Sequence, residues 1–74
     1  MSEIYFNKKL KGWMQDMDLS TTQLAELMNM DRSTLCRKLL GERTWAVDEI
    51  HKLSHVTGIH YHVLFDWLLE GGED

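Results

Sequence analysis

Three observations predict an all-α domain of five helices. Apolar residues recur at three- and four-residue steps along almost the whole chain, no segment alternates apolar and polar residues as a half-buried strand would, and proline is absent. A chain of 74 residues makes one domain at most, with a small core, and 43% apolar content is enough to fold it. One cysteine excludes an internal disulfide and suits a reducing compartment. With no signal peptide and no apolar run long enough to span a bilayer, a cytoplasmic location is expected and no membrane contact.

Helix one is expected over about residues 3–17. Phe6, Leu10, Trp13, Met14 and Met17 recur at helical steps and should face the core. Lys8, Lys9 and Lys11 fall on the other side, either as a solvated face or with Lys9 and Lys11 reaching a phosphate. Helix two opens at Ser20, whose hydroxyl suits an N-cap. Gln23, three residues on, completes a capping box. Leu24, Ala25, Leu27 and Met28 then supply an apolar stripe. Ala25 is small enough to let a second helix cross closely.

Met28, Asn29 and Met30 form a tight turn, with Asn29 suited to a left-handed conformation. Asp31 reads as a second N-cap, opening helix three from Arg32 to about Leu40. Gly41 lies just past its end, where a positive φ is needed. Trp45 reads as a lid on the core. Helix four, about residues 46–57, places Val47, Ile50, Leu53 and Val56 at helical spacing and stops at Gly58. Helix five, about residues 60–70, is apolar at seven of its eleven positions, more than one buried face needs. Tyr61, Leu64, Phe65 and Leu68 form the core stripe. Val63 and Trp67 fall on another face, where an exposed Trp beside Val predicts a homodimer interface. Residues 71–74 read as a frayed tail after a single domain over residues 1–70.

The net charge of −4 is unevenly spread. Residues 60–74 carry Asp66, Glu70, Glu73 and Asp74 with no cation. Residues 21–44 are net +1 and residues 1–12 net +2. A nucleic-acid partner responds to the field of one face more than to the total. The basic side is mild, so weak non-specific binding is expected.

The stretch from Ser20 to Arg43 resembles the helix-turn-helix of the lambdoid phage repressor/Cro family, also found in many bacterial regulators. That family's pattern runs Ser/Thr-Gln-x-x-Leu-Ala, six residues with a Gly-centred turn, Ser-x-x-x-Ile/Leu-x-Arg, and a Gly six residues beyond the Ile/Leu. Ser20, Leu24, Ala25, Leu35, Arg37 and Gly41 fit with unbroken spacing, and the resemblance extends from about Phe6 to Phe65. Thr21 stands where the family has a phosphate-contacting Gln, Asn29 replaces the turn Gly, and Asp31 replaces a capping Ser or Thr.

The resemblance implies a five-helix, lambda-repressor-like domain that regulates transcription by occupying a palindromic operator on double-stranded DNA. Helix three would lie in the major groove. Arg32, Ser33, Cys36 and Arg37 are the base-reading candidates, with Arg32 foremost because a guanidinium pairs with both acceptors of a guanine edge. Thr21, Thr22, Lys9, Lys38, Arg43 and Thr44 are the phosphate-contacting candidates. Family members pair an Arg on helix one with a Glu on helix three. The matching positions here are Met14 and Leu39, which should instead touch as apolar groups.

Other chemistries find little support. His51 and His55 share a helical face, but His60 and His62 lie across a turn and no Cys pair or HExxH pattern accompanies them, so no metal is expected. No nucleophile elbow or phosphate-binding glycine loop is present, so neither an enzyme nor a cofactor or small-molecule ligand is expected. The competing reading is a protein-interaction module, antirepressor- or antitoxin-like, that keeps the helix-turn-helix without binding DNA. The acidic balance and the missing family Gln favour it.

Overall fold

Helix ends in this chain are written in local hydrogen bonding. The computed structural model describes residues 3–72, with side chains through Leu69. Its elements are α1 (Ile4–Asp16), α2 (Thr21–Met28), α3 (Arg32–Leu39), α4 (Val47–Thr57) and α5 (Tyr61–Gly72), with no strand among the described residues. At the start of α2, Ser20 Oγ accepts from the Gln23 N–H at 3.1 Å and Gln23 Oε1 accepts from the Ser20 N–H at 2.8 Å, the expected capping box.

Three helices then close alike. Asp18, Asn29 and Gly41 follow α1, α2 and α3 with φ of 55°, 55° and 84°. The residue after each sends its N–H back five positions: Leu19 to Met14 O at 2.8 Å, Met30 to Ala25 O at 3.0 Å, Glu42 to Arg37 O at 2.9 Å. These are Schellman closures, which satisfy the orphan carbonyls of the last turn. Gly58, at φ 80°, ends α4 through a single bond to Ser54 O.

α1 packs on α5 and α3, α2 packs on α3 and α4, and α4 packs on α5. Phe6, Leu10, Leu24, Met28, Leu35, Ile50, Leu53 and Leu64 are fully buried where these helices meet. Trp45 is buried as expected, its ring edge-on to Phe6 with centroids 5.4 Å apart. Met14 and Leu39 are both buried in the same core and border one shallow depression between α1 and α3.

Five apolar residues depart from the expected arrangement. Met17 is exposed because it sits at the end of α1, where the chain swings into its left-handed turn. Leu27 is exposed because Leu24, Ala25 and Met28 take the inward arc of α2 and Leu27 falls roughly a quarter turn away from it. Val47 is the first residue of α4, a similar offset from Ile50 and Leu53. Tyr61 begins α5 and stacks on His60 at the domain's edge, centroids 4.9 Å apart, so its ring stays partly in solvent. Trp67 departs the other way: it is half-buried, edge-on to Phe6 at 6.2 Å, and packs on the core.

α5 runs two residues past its expected end at Glu70, taking in Gly71 and Gly72 of the expected tail. The remainder of that tail, Glu73 and Asp74, lies outside the described residues. No helix among the described residues is long and apolar enough to cross a membrane.

Candidate nucleic-acid interface

α3 has two faces of opposite character. Leu35 and Leu39 anchor its inner face in the core. Arg32, Ser33 and Arg37 are exposed on its outer face, and neither arginine forms an ion pair with any described residue. Asp31 holds the N-cap position in extended backbone but its carboxylate makes no capping hydrogen bond. Its contribution there is a negative charge at the positive end of the helix dipole.

The N-terminus of α2 adjoins this face. Thr22 is exposed and Thr21 half-buried. Thr21 borders a depression shared with Lys11, Met14, Cys36, Leu39 and Leu40. Cys36 is therefore a half-buried edge residue of the face, turned toward α1 and α2. Arg43 and Thr44 are exposed in the loop after α3.

Two of the sequence-derived phosphate candidates are displaced. Lys38 is 6% exposed and unavailable to a phosphate. It lies one turn from Leu35 on the inner side of α3. Its ammonium donates to Thr44 O at 2.9 Å and to Glu49 Oε1 at 2.8 Å, and stands 5.6 Å from the Trp45 ring centroid. Lys9 is exposed, but on the side of α1 turned toward α5. Its ammonium lies 5.4 Å from the Tyr5 ring centroid, and it borders a groove with Trp13 and Trp67. Two residues further along α1 is about 200° of rotation, which puts Lys11 beside α3. Lys11 is the α1 cation that accompanies Thr21 and Cys36.

The sequence did not reveal the buried polar cluster behind the loop. Trp45 Nε1 donates to Asn7 Oδ1 at 2.9 Å, and the Trp45 N–H reaches both Glu3 carboxylate oxygens at 3.2 Å. Glu49 also accepts from the Ala46 N–H at 2.8 Å. Burial pushes the Glu49 carboxyl up, but the Ala46 hydrogen bond, the Lys38 hydrogen bond and the Lys38 charge outweigh it and hold its pKa below the ordinary value of 4.5. The one available signal was Trp45 itself, since a buried indole N–H needs an acceptor.

Four features come together: a capped α2, a tight left-handed turn, an α3 locked on one side and cationic on the other, and an anchored loop behind it. They define a small all-α domain of the helix-turn-helix type. The chain belongs to the BetR domain family, whose model matches residues 7–74. That family is a small helical domain found in a Cro/C1-like helix-turn-helix context. No curated protein and no solved structure matches the chain.

Proposed function

We propose that this BetR domain is a sequence-specific DNA-binding regulator that lays α3 in the major groove, as the resemblance to repressor and Cro proteins implies. The observation that carries the reading is the outer face of α3. Arg32 and Arg37 are exposed without ion-pair partners among the described residues, on a helix whose other side is fixed by buried Leu35. Guanidinium groups held out on a rigid helix suit readout of guanine edges. Thr21, Thr22, Lys11, Arg43 and Thr44 surround that helix and suit phosphate contact. A homodimer through α5 would set two recognition helices about 34 Å apart on a palindromic site. Val63 is its exposed member, with Trp67 contributing only the part of its ring left outside the core. Such a regulator would act in the cytoplasm.

Selection of bound sites from random duplexes, followed by mobility shifts over a salt series, tests the reading. A regulator of this kind yields an enriched site and an affinity that falls steeply with salt.

A second reading is favoured by the groove between α1 and α5. It encloses about 530 Å³ and is bordered by Tyr5, Trp13 and Trp67 together with Lys8 and Lys9. Half-buried aromatic residues are what the core of a protein-binding surface is made of, and Lys8, Lys9 and Asp16 would stand at its polar rim. A domain that used only this groove would give no mobility shift at any salt concentration.

A further inference from the structure

A buried lysine ties the recognition helix to the loop behind it. The loop from Gly41 to Ala46 is exposed except at Trp45, yet its backbone is fixed at both ends. Its first turn closes through the Glu42 N–H to Arg37 O, and Trp45 is held by Glu3 at the cap of α1 and by Asn7 and Phe6 within it. Between these points stands Arg43, and directly after it the Thr44 carbonyl accepts from Lys38.

Burying an ammonium is costly, and replacing a buried ion pair as a whole by apolar side chains commonly leaves a domain as stable or more so, whereas removing one partner strands the other. The Lys38–Glu49 pair as a whole is therefore poorly explained as the most stable way to fill this space. Its geometry is more telling: one donor goes to the loop carbonyl, one to Glu49 beside the start of α4, and its charge lies over the Trp45 ring. An apolar side chain could fill the space but could not bridge three elements at fixed distances.

We propose that Lys38 is a positioning residue for DNA binding: its ammonium sets the Arg43–Thr44 backbone at a fixed offset from Arg32 and Arg37, so that Arg43 meets a phosphate while α3 occupies the groove. This rests on the DNA-binding reading. Lys38 itself touches no DNA.

A double-mutant cycle tests it, using the full chain and the duplex selected by wild type. Lys38→Met and Arg43→Ala are made singly and together, with thermal melts alongside binding over a salt series. Lys38→Met leaves Glu49 without its cation and should melt below wild type, while the folded protein keeps the same base preference. It should lose roughly tenfold in affinity at low salt, with the slope of log affinity against log salt shallower by about 1. Arg43→Ala should do the same, and the double variant should lose no more than either single one, because both remove one contact. Lys38→Arg, which keeps the cation and its acceptors, should restore most of the slope. If Lys38→Met proves unfolded, Lys38→Met with Glu49→Leu removes both charges together and takes its place in the cycle. A folded Lys38→Met with wild-type slope, or losses that add in the double variant, overturns the proposal. Failure of wild type to bind any duplex overturns the DNA-binding reading instead.

Discussion

Arg37 and Lys38 are neighbours with the same charge and opposite fates. Arg37 is exposed and has no ion-pair partner among the described residues, whereas Lys38 is buried and bonded to a carbonyl and a carboxylate. One residue along a helix is about 100° of rotation, enough to separate the solvent-facing side of α3 from the side that meets α4 and the loop. The comparison teaches that charge in this domain does two jobs. On the outer face it is available to a partner. On the inner face it is internal structure, and counting it toward a basic surface overstates that surface. The mild positive balance of residues 21–44 thus includes a cation that no partner can reach.

The largest expected effect breaks the inner side. Trp45→Ala removes a buried ring, its edge contact with Phe6 and the donor that satisfies Asn7. It should cost about 3–5 kcal/mol, enough in a domain this small to unfold much of the population, as read from urea denaturation. Met14→Arg should follow closely. It places a charge beside Leu39 at a depression with no carboxylate among its described lining residues, a change worth roughly 3 kcal/mol or more. Pairing it with Leu39→Glu should recover part of the loss.

Arg32→Ala addresses the outer side. It should leave the melting temperature unchanged, cost about 1–3 kcal/mol of binding to the selected site and relax preference at one base pair. A loss of stability instead would mean that the outer face is structural too. The smallest effect is on pH dependence. Because the Glu49 pKa is lowered in the folded state, its contribution is complete above about pH 4.5 and is lost as pH falls through the lowered value. Glu49→Gln should therefore be less stable than wild type at pH 7, and chemical denaturation should find the two converging as pH falls below 4.5.

The helices were legible because their ends are local. Ser20 with Gln23, Asn29, Gly41 and Gly58 announce caps within a few residues, and all five helices begin and end within two residues of expectation. The outer face of α3 was legible in part: Arg37 lies about 200° around the helix from buried Leu35, whereas Arg32, only about 60° from it, is exposed as the first residue of the helix. Burial of polar groups was not. Lys38 depends on Glu49, eleven residues away, and Asn7 on Trp45, thirty-eight residues away. Neither partnership has a sequence period. The same limit explains Leu27 and Val47: periodicity shows that an apolar residue lies near a buried arc, whereas the neighbouring helix decides how wide that arc is.

The central claim is that the outer face of α3 meets DNA while the inner face only supports it. Fluorescence anisotropy of wild type on its selected duplex, taken from low to high salt, tests it most directly. Lys11 and Arg43 on phosphates, with Lys38 making no contact of its own, predict a slope of log affinity against log salt of about −2 per protomer. Binding that does not change with salt, or no binding at any salt, would contradict the account.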